Sequence, residues 1–128
     1  MTVAFWCVLI AIFLPYLCTG VAKFSSGQFG LGHNHDPRKF LAGLHGVAKR
    51  ADSAQLNSFE VTPAFAAAVI ISDIVGNASQ TNLDVLAVMF ITSRLLYIIC
   101  YLADWALLRS LVWAVGMGLI ASFFFVSV

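Results

Sequence analysis

Residues 3–22 read VAFWCVLIAIFLPYLCTGVA, a run of twenty residues without a single charged side chain. As an α-helix this run is about 30 Å long, which matches the hydrocarbon thickness of a bilayer. The rest of the chain agrees: 61% of its 128 residues are hydrophobic and 10% are charged, against roughly 25% charged in a soluble domain. Soluble enzymes, disordered tails and nucleic-acid-binding proteins are therefore excluded. The composition predicts one integral membrane domain.

The apolar stretches predict an all-α bundle of four transmembrane helices within a single domain, residues 1–128. The predicted spans are 3–22, 54–75, 83–102 and 107–128. We expect Pro15 to kink the first span, and a neighbouring helix to satisfy the backbone carbonyl that proline leaves free. Residues 23–53 form a polar loop and a helical extension. Asp36 is the predicted N-cap of a helix that starts at Pro37 and continues unbroken into the second span.

The distribution of basic residues predicts the orientation in the membrane. The first connection contains five Lys or Arg residues, the third connection lies beside Arg109, and the second connection and both chain ends contain none. Because cytoplasmic loops carry the excess of Lys and Arg, we expect the first and third connections to be cytoplasmic. Both termini are then non-cytoplasmic.

Polar residues inside the spans are costly, and they usually mark function. They form two stripes, each with helical steps of three and four residues, so that each stripe lies on one helix face. The stripes are Arg50, Ser53, Asn57 and Glu60 on the second helix, and Arg94, Tyr97, Tyr101 and Asp104 on the third. Antiparallel helices bring both stripes to the same side, which predicts an ion pair between Glu60 and Arg94. The stripes form either a structural lock between two helices or the wall of a pocket open to the cytoplasm.

Residues 50–65, RADSAQLNSFEVTPAF, resemble a known signature: an Arg, then Asn-x-x-Glu, then a Pro and an aromatic residue. Residues 94–101, RLLYIICY, and the later Leu-Arg-Ser at 108–110 extend the likeness. The chain from about residue 37 onward thus resembles the membrane-associated proteins in eicosanoid and glutathione metabolism, the MAPEG family. The resemblance is closest to short bacterial members, which implies a bacterial inner membrane.

The resemblance implies a homotrimer that holds glutathione, as co-substrate, between neighbouring subunits near the cytoplasmic face. The positions that match the family's glutathione site are Arg50, Asn57, Glu60, Arg94, Tyr97 and Tyr101. Arg109 is similar to the arginine beside the glutathione sulfur in catalytic members, and Ser110 to the serine that follows it in the prostaglandin-forming enzyme. Two positions depart from the family: Ser53 stands where a second arginine is common, and Val61 replaces a tyrosine of the leukotriene-forming member.

The resemblance and the chemistry of arginine together indicate a glutathione transferase or peroxidase. A free thiol has a pKa of about 8.5, and a guanidinium in a partly dry site lowers that pKa. Lipophilic small-molecule electrophiles would reach such a site through the membrane lipid. The alternative is a non-catalytic lipid- or thiol-binding protein on the same scaffold. A small multidrug exporter ranks third, because exporters need an acidic residue in the first span and residues 3–22 have none.

The loop around residues 30–45 contains a second, weaker candidate. His33, His35 and Asp36, together with His45, include the side chains that bind zinc. The surrounding residues are rich in glycine, which favours solvated polar side chains over a rigid coordination site. We therefore assign no metal-binding residues.

Overall fold

The computed structural model describes all 128 residues, Met1–Val128. The helices are α1 (Val3–Ser26), α2 (Pro37–Ala42), α3 (Gly46–Val75), α4 (Gln80–Leu102) and α5 (Ala106–Val126), with one turn of 3-10 helix at Leu31–His35 before α2. Helices α1, α3, α4 and α5 are each long and apolar enough to cross a membrane. The predicted bundle of four spanning helices is confirmed, and the protein is an integral, multi-pass membrane protein.

An aromatic core occupies the half of the bundle that lies away from the long loop. Phe65 of α3 stacks on Phe90 of α4 with 3.9 Å between ring centroids, and Phe123 of α5 meets Phe65 edge-on at 5.9 Å. All three side chains are fully or almost fully buried. Helix α1 packs mainly along α3, and α5 along α4. The buried Arg94 and its partner Asn57 lie outside this core, in the loop-side half.

The carbonyl that Pro15 leaves free has a donor on the neighbouring helix, as predicted. Pro15 has no N–H, so the oxygen of Ala11 lacks its usual partner one turn later. The hydroxyl of Thr62 on α3 lies 3.3 Å from that oxygen and 2.7 Å from the oxygen of Ser58. The single hydroxyl proton is therefore shared between the two carbonyls. This contact fixes α1 against α3 near the middle of both helices.

The helix predicted to run unbroken from Pro37 into the second span is wrong, because it breaks between Ala42 and Gly46. Gly43 ends α2, and α3 begins at Gly46 with φ +59°, a left-handed conformation that residues with a side chain rarely adopt. The break turns the chain so that Leu41 and Leu44 both become buried, in a small cluster with Ala22 at the end of α1. Burial of the two leucines outweighs the lost helical hydrogen bonds. The N-cap is as predicted: the Asp36 carboxylate accepts the N–H of Lys39 at 3.1 Å.

An acid that the sequence patterns did not single out joins α1 to α4 at the far end of the bundle. Asp84 Oδ1 accepts the backbone N–H of Ala4 at 2.8 Å and the side-chain amide of Gln80 at 2.8 Å. The N–H groups of a first helical turn have no partner within the helix, and a carboxylate there also interacts favourably with the helix dipole. Asp84 therefore sets how far α1 slides along α4.

Candidate functional site

Arg94 is the buried centre of the polar half of the bundle. Its side chain is 3% exposed, and Nη2 donates hydrogen bonds to Asn57 Oδ1 at 2.9 Å and to Ser58 Oγ at 3.3 Å. The Ser58 hydroxyl donates its own proton to the oxygen of Ala54, which leaves its lone pairs for the guanidinium. The face of the Tyr97 ring lies 4.2 Å from Arg94 Cζ. Neutral acceptors and a π face therefore stabilise this cation.

The predicted ion pair between Glu60 and Arg94 is wrong. Glu60 is exposed on the surface of the single chain, and the one ion pair in the structure joins Lys49 to Asp52 at 3.0 Å. Arg94 Nη2 instead donates to the neutral acceptors Asn57 and Ser58, and Glu60 makes neither an ion pair nor a hydrogen bond with the guanidinium.

A row of two tyrosine rings between two arginines runs from Arg94 along α4 to the start of α5. The rings of Tyr97 and Tyr101 meet edge-on with 5.6 Å between centroids. Arg109 Cζ lies 4.2 Å from the Tyr101 ring centroid. We call Arg94, Tyr97, Tyr101 and Arg109 the Arg–Tyr row. It brings together four of the predicted site residues, with Asn57 bonded to one end.

A sharp turn between α4 and α5 places Arg109 at the end of this row. Asp104 lies in the turn with φ +62°, the only residue other than glycine with a positive φ. Aspartate tolerates this left-handed conformation better than most side chains do. Asp104 itself is exposed, so it does not extend the polar stripe into the bundle. Its contribution is to fold α5 back at the angle that sets Arg109 over Tyr101.

Arg50 lies beside the row but has a partner of its own. Its Nε donates to the backbone oxygen of Leu102 at 3.1 Å, in the last turn of α4. That oxygen is one of the carbonyls that a helix end leaves without a partner, and a cation there also suits the helix dipole. Arg50 therefore anchors the end of α4 to α3, and its two terminal nitrogens remain available to a ligand.

Two sequence features lie away from the row. Ser110 is exposed, and its hydroxyl donates to the oxygen of Ala106 at 3.1 Å, so it is not brought to the other site residues. Val61 is 7% exposed and belongs to the hydrophobic core. The valine that departs from the family pattern is therefore a packing residue, and its side chain does not lie on the polar face of α3.

The structure adds two polar features that sequence patterns missed. Ser58 was overlooked because steps of three and four residues from Asn57 skip its direct neighbour. Asp52 is 6% exposed and pairs with Lys49 three residues earlier, on a face of α3 different from that of Asn57. Opposite charges spaced by three residues were the available signal for this second pair.

The histidine loop is held by aromatic packing. The His33 ring lies 4.6 Å from the Phe40 ring, and both contact Phe29. His33 Nδ1 accepts the N–H of Gly30 at 3.1 Å, while Lys23 Nζ lies 4.2 Å from the centroid of Phe29. One nitrogen of His33 is therefore occupied by the loop backbone, and its ring covers α2.

The sequence matches one known protein family. The sequence model of the MAPEG family matches residues 3–128, essentially the whole chain. The chain belongs to the MAPEG family. MAPEG proteins are typically membrane-embedded trimers that act on glutathione and lipophilic substrates. No curated protein and no solved structure gives a match.

Within this MAPEG chain, the site offers a definite set of chemical groups. Arg109 and Arg50 present cations at the loop-side end, Asn57 and the tyrosines present hydrogen-bonding groups, and Glu60 presents a carboxylate on the lateral surface. These groups can bind carboxylates through the arginines, a cation through Glu60, and neutral polar groups through Asn57 and the tyrosines.

Proposed function

We propose that this MAPEG protein is a trimeric membrane glutathione transferase or peroxidase that activates a thiol for attack on lipophilic electrophiles. The Arg–Tyr row carries the proposal, because it places the half-buried guanidinium of Arg109 at the end of a continuous series of ring and cation contacts that begins at the buried Arg94. A structural lock between two helices needs Arg94 and Asn57 alone. The continuation through Tyr101 to Arg109 is unnecessary for a lock and suits a ligand.

In the proposed complex, the second and third spanning helices bind the glutathione backbone. Arg50 binds a carboxylate through its free nitrogens, and Glu60 binds the ammonium group. Asn57, held by Arg94, and the hydroxyls of Tyr97 and Tyr101 supply neutral hydrogen bonds. The charge-assisted bonds of Arg50 and Glu60 are worth about 1.5–3 kcal/mol each.

The exposure of Glu60 supports an assembly whose site lies between subunits. A carboxylate facing lipid inside a span is costly, and such residues face a protein interior or an aqueous cavity. Glu60 is exposed in the single chain, and Tyr101 and Arg109 are half-buried. A second copy that covers this face would bury all three and close the site. We propose the homotrimer of the family as that assembly.

Arg109 is the proposed catalytic residue. Because a guanidinium stays charged when desolvated, it lowers the pKa of a thiol bound next to it and favours the thiolate. The thiolate sulfur then attacks an electrophilic carbon, and the leaving group departs with its bonding electrons, as chloride does from an aryl chloride. The thiol proton passes to water. Ser110 has to release the Ala106 oxygen before its hydroxyl can donate a hydrogen bond to the ligand.

Titration calorimetry of the detergent-purified protein with glutathione tests the binding step. A conjugation assay with an activated aryl chloride tests the chemistry, with S-methylglutathione as a matched ligand that binds but has no thiol to react. We expect saturable binding of both ligands and product from glutathione alone. Binding without product would favour the non-catalytic thiol-binding protein. Absence of glutathione binding would overturn both the transferase and the thiol-binding protein.

A further inference from the structure

A second cleft lies between α2 and the loop-side half of α3, with a cavity volume of about 500 Å³. The residues that matter for its chemistry are Arg38, Lys49, Asp52, Gln55, Leu56 and Phe59. Gln55 precedes Asn57 by two residues, so the two side chains leave α3 about 160° apart in direction. The cleft is therefore separate from the Arg–Tyr row.

The cleft changes from charged to apolar along α3. Lys49 lies at one end, and Phe59 lies ten residues further on, about 15 Å deeper along the helix. Leu56 and Phe59 are 55% and 41% exposed, so their apolar surface is open to whatever fills the cleft. This order of polar and apolar groups is the order found along a phospholipid molecule, from phosphate to acyl chain.

The charged end favours an anion. Asp52 neutralises Lys49 at 3.0 Å, and Arg38 is exposed and makes no ion pair, so the cleft carries one excess positive charge. Between the two ends, Gln55 Oε1 is buried without a hydrogen-bond partner. A buried acceptor of this kind costs free energy unless a ligand or water donates to it. The occupant thus needs a negative charge, a hydrogen-bond donor and an apolar tail.

We propose that this cleft binds an anionic phospholipid with a hydroxylated headgroup, of the phosphatidylglycerol type. Its phosphate lies between Arg38 and Lys49, a headgroup hydroxyl donates to Gln55, and one acyl chain covers Leu56 and Phe59. Phosphatidylcholine has an acyl chain of the same kind but neither net charge nor a donor. The headgroup, and not the chain, therefore determines the preference.

Native mass spectrometry of the purified protein in mixed micelles tests the proposal. Phosphatidylglycerol and phosphatidylcholine with identical acyl chains are offered in equal amounts, and the retained lipid is counted. We expect retention of phosphatidylglycerol to exceed that of phosphatidylcholine. Arg38→Gln should lower the excess about fivefold, the effect of one basic residue on an anionic lipid. Gln55→Leu should also lower it.

Lys39→Gln is the matched control, since Lys39 is exposed, adjacent to Arg38 and outside the cleft, and its substitution changes the net charge equally. Lys39→Gln should leave the preference for phosphatidylglycerol unchanged. Neither Lys39→Gln nor Arg38→Gln should change the melting temperature. Equal retention of the two lipids would overturn the proposal, as would equal losses for Arg38→Gln and Lys39→Gln. A change of oligomeric state in Arg38→Gln would also overturn it, because a second copy would then cover the cleft. Glutathione binding should be unaffected by Arg38→Gln, which separates this proposal from the proposed function.

Discussion

Replacing Asn57 by alanine removes the shortest hydrogen bond to a buried cation. Arg94 is 3% exposed, and Asn57 Oδ1 accepts from its Nη2 at 2.9 Å. A hydrogen bond to a charged group contributes about 1.5–3 kcal/mol. The Ser58 contact at 3.3 Å and the face of Tyr97 remain in Asn57→Ala, so the cation is left only partly unsatisfied. We expect the free energy of unfolding to fall by about 2 kcal/mol.

The assay is reversible unfolding in mixed micelles by titration with sodium dodecyl sulfate, followed by circular dichroism, without glutathione. Asn77→Ala is the control, because the Asn77 side chain bonds a neutral acceptor, the Ser127 oxygen, at 3.2 Å. A neutral bond is worth about 1 kcal/mol, so the control should lose half as much or less. When Arg94 is also replaced by methionine, Asn57→Ala should no longer lower the free energy of unfolding, because the buried cation is then absent. Equal losses for the two asparagine variants, or a penalty that survives Arg94→Met, would refute the reasoning.

The other expected outcomes concern the proposed site, the assembly and the topology. Glu60→Gln should change the free energy of unfolding by no more than about 0.5 kcal/mol, because Glu60 has no ion-pair partner in the chain. The same substitution should weaken glutathione binding at least tenfold by calorimetry. A large loss of stability would instead indicate that Glu60 pairs with Arg94. Arg109→Ala should keep the assembly, raise the pKa of the bound thiol in ultraviolet difference spectra and slow conjugation by about a hundredfold; unchanged spectra and rates would remove Arg109 from the mechanism. Native mass spectrometry should show trimers, and monomers or dimers alone would contradict an intersubunit site. A C-terminal reporter that is active only in the cytoplasm should remain silent, and a strong signal would reverse the orientation.

Hydropathy was sufficient to predict the four spans, because burial in lipid acts on whole stretches of residues and tolerates local exceptions. Three members of the Arg–Tyr row were predictable for a related reason: steps of three and four residues place Arg94, Tyr97 and Tyr101 on one face of α4. The fourth, Arg109 of α5, was indicated by the resemblance to the MAPEG family. The partners of Arg94 were not predictable. Arg94 bonds Asn57, which belongs to the predicted stripe on α3, and Ser58, which does not. Because the arginine side chain is long and flexible, the stripe alone did not determine which acceptors it would reach.

The break between α2 and α3 was missed because periodicity alone cannot weigh glycine against tertiary packing. Leu41 and Leu44 fit a continuous helix as well as they fit the observed turn. The deciding contact is with Ala22, about twenty residues earlier in the chain, and a local pattern contains no information about it. Gly43 and Gly46 were the visible signal, since a pair of glycines within four residues is unfavourable inside a helix.

The bond between Asp84 and the N–H of Ala4 has a consequence for how the protein is made. The two residues are eighty positions apart, so α1 enters the membrane long before the carboxylate that completes its first turn has been synthesised. Until α4 arrives, one N–H of that turn can be satisfied only by water or lipid headgroups, which keeps the beginning of α1 near the membrane surface. The final depth of the first helix is therefore set late in biosynthesis, by the third spanning helix.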